Sequence, residues 1–175
     1  GLDAFAGNID RDAWVRLVKD PAHPLLNRSL QGQYPPGSVF KMIVTAAGLQ
    51  EGSLTPMDRV YCNGEHTSGT RTWKDWKPGG HGHVDLRGAV VQSCDVFFYQ
   101  YGLKVGPEAI ARSARAFGLG DATGVDLPGE KPGLVPSPEG RKERGRPWHS
   151  GDTLNMSIGQ GALLATPLQM ALVAS

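Results

Sequence analysis

The amino-acid sequence predicts a mostly helical chain whose helices are joined by long, irregular connections. Apolar residues follow helical spacing in several segments, and strand signals are confined to residues 59–61 and 124–127. The 24 glycines and 13 prolines among 175 residues indicate many turns. A chain of this length suits one domain with a sizeable buried core.

Two helices are predicted in the first third of the chain. Apolar residues over 10–18 predict a short helix. The segment 38–49 is apolar on nearly all sides, so its helix is expected to be buried, with Ser38 as its N-cap and Gly52 after its end. Residues 53–84 are rich in Gly, Trp and His and are predicted to be irregular.

The second half of the chain contains further helix signals, over residues 85–92, 95–103, 108–117 and from 166 onward. The first two of these helices are separated by a break at Ser93-Cys94-Asp95. The Gly/Pro-rich connection 120–150 is too long for a passive link in a compact domain, so we expect it to form a shaped surface element.

The charge balance excludes several classes of partner. The chain has 18 basic and 17 acidic side chains, for a net charge of +1. No basic field that would bind nucleic acid or an anionic membrane follows from this balance. No apolar run approaches the ~20 residues that cross a bilayer.

Ser38 and Lys41 are the first candidate catalytic pair. A serine hydroxyl is a poor nucleophile without a base beside it. Residues three apart share one face of a helix, so Lys41 is expected to place its amine near the Ser38 hydroxyl. Desolvation in an apolar helix would favour the neutral, basic form of such an amine. A capping serine with a surface lysine would produce the same short pattern, so other motifs must decide.

The break at Ser93-Cys94-Asp95 is the second candidate element. Penicillin-recognising enzymes combine an S-x-x-K motif with an S-D-N and a K-T-G triplet. A hydroxyl on this break would relay a proton between Lys41 and a leaving group. Ser93 or Asp95 could also serve as a helix N-cap, which is compatible with a catalytic role.

The segment Tyr34-Pro-Pro-Gly-Ser-Val-Phe-Lys41 resembles the active-site serine motif of class B penicillin-binding proteins. A later signature of the same transpeptidases resembles Gly151-Asp152-Thr153, Ser157-Ile-Gly-Gln-Gly161 and Thr166-Pro-Leu-Gln169. These matches keep the order of the family over most of the chain. The resemblance implies the α/β fold shared by penicillin-binding proteins and β-lactamases. This chain would supply mainly its helical part, with most of the sheet missing.

Asp95 departs from the usual pattern of the family, which has S-x-N at the second motif. This variant, with Gly80-His81-Gly82 and Phe97-Phe98-Tyr99 nearby, resembles the elongation-type branch known as penicillin-binding protein 2. The family asparagine contacts the substrate amide, whereas a carboxylate only accepts hydrogen bonds unless it is protonated. How Asp95 would take the place of that asparagine is therefore left open by the sequence.

The resemblance implies a peptidoglycan D,D-transpeptidase. Ser38 would attack the D-Ala-D-Ala carbonyl of a stem peptide and form an acyl-enzyme, which the amine of a neighbouring strand resolves into a cross-link. Lys41 would act as general base and Ser93 as proton relay, and the Ser38 amide would form part of the oxyanion hole. β-Lactams, which mimic the dipeptide, would trap Ser38.

The third motif of the family is not found in this chain. The sequence contains neither Lys-Thr-Gly nor Lys-Ser-Gly, and His149-Ser150-Gly151 precedes the Gly-Asp-Thr signature, which is the wrong order for a substitute. In the family the K-T-G motif lies beyond the last predicted helix, and the opening strands are expected before Gly1. Residues 1–175 are thus predicted to be a partial transpeptidase domain that binds substrate poorly by itself.

A metal site is expected around the second motif. Cys62, Asp75, His81 and Cys94 are competent zinc ligands, and structural zinc takes four. Their spacing resembles that in elongation-type penicillin-binding proteins that carry a metal near the active site, with Cys62 as the fourth ligand and His83 as a bystander. A Cys62–Cys94 disulfide, or two unconnected thiols, are the alternatives.

Rival functions share part of this chemistry. A serine β-lactamase or D,D-carboxypeptidase would also contain S-x-x-K, but the Tyr34-Pro-Pro-Gly approach and the Gly-Gln-Gly segment argue against these classes. A β-lactam sensor or a non-catalytic cell-wall scaffold is the alternative from another class. The presence of both Ser38 and Lys41 argues against a vestigial site.

The resemblance also implies a cellular setting. The family works at the periplasmic face of the bacterial cytoplasmic membrane, held by an anchor that this chain lacks. Its partners are peptidoglycan stem peptides and β-lactams, a membrane glycan polymerase and the scaffold proteins of cell elongation. No nucleic acid is expected among them.

Overall fold

The computed structural model describes residues 9–175. The helices of this part are α1 (Arg11–Lys19), α2 (Arg28–Gln31), α3 (Lys41–Gln50), α4 (Leu86–Val91), α5 (Asp95–Val105), α6 (Pro107–Ala116), α7 (Pro138–Glu143), α8 (Ser150–Ser157) and α9 (Pro167–Val173). The strands are β1 (Arg59–Cys62), β2 (Glu65–Ser68), β3 (Arg71–Lys74) and β4 (Gly82–Asp85). The predicted mostly helical chain is confirmed. Within residues 9–175, no helix has the length and apolar character needed to cross a bilayer.

Helix α5 lies at the centre of the hydrophobic core and packs against α3, α4, α6 and α8. It is apolar on most sides, and Val96, Phe97 and Phe98 are at most 1% exposed. Burial of each such side chain contributes about 1.5–3 kcal/mol. The N-terminus of α5, which begins at Asp95, is thereby fixed beside the N-terminus of α3.

Two expectations about the helix after Pro36 are corrected. Ser38 is not its N-cap, because it lies inside a 3-10 helix, Gly37–Phe40, and the α-helix begins only at Lys41. The helix is also buried on one face rather than all round, since Met42 and Leu49 remain exposed. Ser38 therefore sits at the exposed entrance to α3 while Lys41 is buried.

The prediction that residues 53–84 are irregular is wrong, because two antiparallel strand pairs form there. Strand β1 pairs with β4, and β2 pairs with β3. Each strand has only four residues, and β2 and β3 have no fully buried position. Such short, exposed strands leave little alternation for a sequence pattern to detect. The strand predicted at 59–61 is confirmed within β1, whereas residues 124–127 form no strand.

The connection 120–150 contains α7 and is tied to the end of the chain. Leu134 forms an isolated β-bridge with Leu164. The buried side chain of Gln169 in α9 donates to the carbonyls of Asp121 and Pro132, both at 2.8 Å. These bonds give the connection the defined shape that its length predicts.

Gly102 provides a test of this packing. A Cβ at Gly102 of α5 would overlap the side chain of Ser157 in α8. Alanine is the better helix former by about 1 kcal/mol. The overlap outweighs this gain, because overpacking costs about 1–3 kcal/mol. We expect Gly102→Ala to lower the midpoint of thermal unfolding, measured by circular dichroism.

Gly140→Ala is the matched control. Gly140 lies in α7, where the nearest atom to a new Cβ is the Ser137 hydroxyl oxygen at 3.4 Å, an ordinary contact. This substitution is expected to leave the midpoint unchanged or raise it. Equal destabilisation by both substitutions would contradict close packing between Gly102 of α5 and Ser157 of α8.

Candidate active site

The turn before Ser38 is held by backbone bonds to the far end of the chain. Tyr34 and Ala165 exchange two backbone hydrogen bonds, each of 2.9 Å, and Gly37 donates to the Gly159 carbonyl, also at 2.9 Å. Gly37 has φ +61°, and a Cβ on Gly159 would collide with the Gly37 carbonyl. Both glycines are therefore required for the approach that presents Ser38 to solvent.

A chain of hydrogen bonds links three of the four predicted catalytic residues, Ser38, Ser93 and Lys41. Ser93 Oγ donates to Ser38 Oγ at 2.8 Å. Lys41 Nζ donates to Ser93 Oγ at 3.0 Å, so the path from the lysine to the exposed serine runs through Ser93. Lys41 is 2% exposed, and its amine also lies 5.4 Å from the centre of the Phe98 ring. The arrangement suits proton transfer between Ser38 and Lys41 with Ser93 as intermediary.

Asp95 is the charged partner of Lys41. Its Oδ1 lies 2.6 Å from Lys41 Nζ, and the two side chains are 13% and 3% exposed. The other carboxylate oxygen, Oδ2, accepts the backbone N–H of Trp76 at 3.2 Å. Lys41 Nζ completes its set of bonds by donating to the Ser93 carbonyl at 2.8 Å. All three N–H groups of the ammonium form are thus engaged by the second motif.

Ser93 has an unusual backbone conformation. Its φ is +54°, a left-handed value that favours glycine and costs other residues roughly 1–3 kcal/mol. This conformation turns both its carbonyl and its hydroxyl towards the Lys41 amine. Strain of this kind persists only where surrounding contacts hold it.

The four predicted metal ligands converge in a second cluster beside this turn. One ligand atom from each of Cys62, Asp75, His81 and Cys94 lies within 4.8 Å of the others. Both thiols donate to Asp75 Oδ2 at 3.5 Å, and His81 Nδ1 lies 3.5 Å from Asp75 Oδ1. Both cysteines are buried free thiols. His83 lies outside this group and packs against Tyr61.

The electrostatics of this cluster depend on burial. Burial raises the pKa of the Cys94 thiol far above its ordinary value, and the neighbouring Cys62 thiol and Asp75 carboxylate act in the same direction. Burial also opposes ionisation of Asp75, but hydrogen bonds from the N–H groups of Lys77 and Val96 and the nearby His81 lower the pKa of this carboxyl below its usual value. A buried carboxylate is therefore present among two buried thiols.

The two clusters share one piece of backbone. Asp75 Oδ2 accepts the backbone N–H of Val96 at 3.1 Å, in the first turn of α5. Cys94 is the residue between Ser93 and Asp95, so its thiol and the predicted catalytic side chains belong to the same turn. A group that binds the thiols would therefore also restrain the second motif.

Sequence patterns missed one participant in this site. Trp76 interacts with Asp95 and with the carbonyls of Gln92 and Ser93. It belongs to no recognisable motif, because its indole N–H bonds only backbone carbonyls and its bond to Asp95 comes from its own backbone N–H. Only its position directly after the candidate ligand Asp75 would have marked it in the sequence.

Comparisons with known sequences identify the family. The family described as the penicillin binding protein transpeptidase domain matches residues 5–175. The chain is 36% identical over 170 residues to the peptidoglycan D,D-transpeptidase MrdA of Haemophilus influenzae, covering 95% of this chain and 26% of that protein. It is 39% identical over 171 residues to MrdA of Acinetobacter baumannii, covering 96% of this chain and 25% of that protein. The chain thus spans about a quarter of the length of these curated relatives.

Solved structures show the same likeness. Penicillin-binding protein 2 (PBP2) of Pseudomonas aeruginosa in complex with WCK 5153 has a TM-score of 0.89 and 38% identity, over 95% of this chain and 38% of that one. The Helicobacter pylori PBP2 in complex with MreC has a TM-score of 0.89 and 41% identity, over 97% and 32%. A structure on coordinated polymerization and crosslinking by a peptidoglycan synthase complex has a TM-score of 0.86 and 37% identity, over 96% and 29%. The predicted fold class is confirmed.

The burial of the Lys41–Asp95 pair predicts its effect on stability. In Asp95→Asn the buried ammonium loses its charged acceptor, and either Lys41 or the Trp76 N–H loses a partner. We expect the free energy of unfolding to fall by about 1–3 kcal/mol. Urea denaturation followed by circular dichroism measures the change.

Glu51→Gln is the control for this prediction. Glu51 forms an ion pair of 2.7 Å with Arg112, but the two side chains are 45% and 62% exposed. Neutralising this exposed pair should change the free energy of unfolding by less than about 0.5 kcal/mol. A stability of Asp95→Asn equal to that of the unmodified protein would show that the buried pair has no net structural role.

Proposed function

The chain belongs to the penicillin-binding protein transpeptidase family, and from this premise we propose that the protein containing it is a peptidoglycan D,D-transpeptidase. It would cross-link stem peptides during cell elongation through an acyl-enzyme on Ser38. The single observation that carries this proposal is the hydrogen-bonded series from Ser38 through Ser93 to Lys41. An exposed nucleophile is joined in it to a buried amine through one hydroxyl, as acylation of a serine requires.

The geometry supports a balanced sequence of transfers. With Lys41 Nζ neutral, the Ser93 hydroxyl turns its proton from Ser38 Oγ to this amine. Ser38 Oγ then attacks the D-Ala-D-Ala carbonyl and gives its proton to Ser93 Oγ, as the Ser93 proton passes to Lys41 Nζ. The C–N bond to the terminal D-alanine then breaks, and the departing amine receives a proton back along the same path. The amine of a neighbouring stem peptide then attacks the resulting ester and loses one proton to Lys41 through Ser93. A proton returns along the same path to Ser38 Oγ as the ester C–O bond breaks and the cross-linked product leaves. The Ser38 amide would help to stabilise the oxyanion.

Asp95 has a defined part in this scheme. Lys41 Nζ must hold a free lone pair before it accepts a proton, yet its three donated bonds account for all protons of the ammonium form. Asp95 Oδ1, at 2.6 Å, is the acceptor placed to take one of them. This role differs from that of the family asparagine, which contacts the substrate amide.

The setting of the protein is proposed from its relatives. Residues 1–175 would form part of a transpeptidase domain whose K-T-G motif and opening strands lie in other segments of the protein. The H. pylori relative is solved with MreC, and another neighbour is part of a peptidoglycan synthase complex. By analogy, an elongation scaffold and a glycan polymerase are the proposed partners. The proposed location is the periplasmic face of the cytoplasmic membrane.

Intact-mass measurement after incubation with a penicillin tests the proposed function. Three proteins are compared: the 175-residue chain, a form extended through a K-T-G segment, and that extended form with Ser38→Ala. We expect one adduct of the mass of the penicillin on the extended form, because acylation adds the whole β-lactam to Ser38. The Ser38→Ala form should show none, and the short chain little.

The same experiment separates the rivals. A folded extended protein that does not acylate would exclude the enzyme and favour a non-catalytic scaffold. An adduct that disappears within minutes would indicate a β-lactamase, which deacylates. A separate assay with a stem peptide completes the comparison: release of D-alanine without cross-linked product would indicate a carboxypeptidase, and a stable penicillin adduct with no reaction of the stem peptide would indicate a sensor.

We also propose that Cys62, Asp75, His81 and Cys94 hold a structural zinc ion. Zinc binds sulfur and nitrogen at about 2.0–2.3 Å, and the separations of 3.5–3.6 Å around Asp75 and Cys62 are those of ligands sharing one small ion. Two buried thiols and a buried carboxylate of low pKa are a donor set that a cation would stabilise. Bound zinc would keep the thiols deprotonated and would join the strand segment 59–85 to the turn at Ser93.

Metal content tests the zinc proposal. Purified protein should contain about one zinc per chain by plasma mass spectrometry, and Cys94→Ser should lose most of it because a thiolate ligand is removed. His83→Gln is the control, since His83 lies outside the cluster but close to it in the sequence. Unmodified protein with no metal and no reactive thiol after denaturation would instead support the Cys62–Cys94 disulfide.

A further inference from the structure

Trp76 has an exposed ring, but both of its N–H groups donate hydrogen bonds to the turn at Ser93. The residue is 61% exposed, and its ring touches His81 edge-on with the centres 5.5 Å apart. Its indole N–H is shared between the carbonyls of Gln92 and Ser93, both at 3.1 Å. Its backbone N–H donates to Asp95. An exposed tryptophan with both donors directed at one turn is not explained by core packing.

These bonds fall on the part of the site that most needs support. Ser93 has a left-handed backbone, and its carbonyl accepts from Lys41 as well as from the Trp76 indole. A carbonyl oxygen has two lone pairs, so the two donors fill it completely. The indole therefore restrains the backbone of Ser93, the residue whose hydroxyl bridges Ser38 and Lys41.

Trp76 is itself held from the other side. The preceding residue, Asp75, donates its backbone N–H to the Gly64 carbonyl at 2.8 Å. Its side chain accepts the N–H groups of Lys77 and Val96 at 3.0 and 3.1 Å. The backbone on both sides of Trp76 is thereby fixed to the strand segment and to α5, so its donors are directed at the turn without a mobile loop between them.

We propose that Trp76 is a positioning residue for acylation, which holds Ser93 and Asp95 in the geometry that passes a proton between Ser38 and Lys41. This inference rests on the proposed function, because it concerns the rate of the same reaction. Trp76 acts through Ser93 and Asp95 rather than by contact with the reacting atoms. Loss of the indole N–H should slow the chemical step and leave the initial binding of substrate unchanged.

Trp76→Phe tests the proposal, because it keeps an aromatic ring and removes the indole donor. The full-length protein is mixed with a fluorescent penicillin by stopped flow, which separates the dissociation constant of the first complex from the acylation rate constant. We expect the rate constant to fall about three- to tenfold, the value of one hydrogen bond. The dissociation constant should change by less than about twofold.

Trp73→Phe is the matched control. Trp73 lies three residues earlier, packs against the hydrophobic core and faces Gly151 of α8 rather than the Ser93 turn. Its substitution should leave the acylation rate constant within about twofold of the unmodified protein. An equal loss of rate in both variants would show a general loosening of the segment and would overturn the proposal.

A double-mutant comparison locates the effect. If Trp76 acts through Ser93, Trp76→Phe should slow acylation by less than about twofold when Ser93→Ala is already present. A full additional loss there would overturn the proposal, as would a change confined to the dissociation constant, which would make the ring a substrate-contacting wall. If the unmodified protein is not acylated, the proposed function fails and this inference fails with it. Normal acylation by Trp76→Phe defeats the inference alone.

Discussion

The buried amine of Lys41 is the constraint on which the rest of the structure depends. Lys41 is 2% exposed, and an ammonium group buried in this way needs an acceptor for every proton, since an unpaired buried charge costs several kcal/mol. All three acceptors come from the Ser93–Asp95 turn, so α3 and α5 must approach each other at their N-termini. The apolar packing of the two helices and the left-handed backbone of Ser93 both serve this meeting. The arrangement of the site thus follows from the need of the Lys41 ammonium group for three acceptors.

The strand segment 59–85 holds the first turn of α5 in place but forms little of the hydrophobic core. Strands β2 and β3 are short and largely exposed, and the β1–β4 pair adds only Val60, Cys62 and Val84 to the hydrophobic core. Beside these apolar residues lie the four clustered ligand atoms, and Asp75 and Trp76 bond the segment to the first turn of α5. A segment with so small an apolar core can be made rigid by a bound metal or by dense hydrogen bonding.

Much of the site could be predicted from the sequence, because its residues lie in short motifs. Ser38 and Lys41 lie in one such motif. The four predicted metal ligands lie far apart in the sequence, but their ligand atoms come together in the structure. Helix α8 was missed since Gly151 and Asp152 near its start weaken the helical pattern. The contacts of Trp76 depend on backbone carbonyls brought close by tertiary packing, for which a sequence has no pattern. The cap assigned to Ser38 failed because a 3-10 turn precedes the α-helix.

The pairing of the serine turn with the Gly159 and Ala165 carbonyls has a consequence for folding. These partners lie near the two ends of the described chain, so the contact has a very high sequence separation. Contacts of this kind form late, because the conformational entropy of a long loop is lost before the contact lowers the free energy. During synthesis the turn that presents Ser38 would stay unformed until the segment beyond α8 had emerged. The setting of Ser38 would thus be complete only once residues 159–165 pack against the turn, and a chain ending before Gly159 would leave this serine without its backbone support.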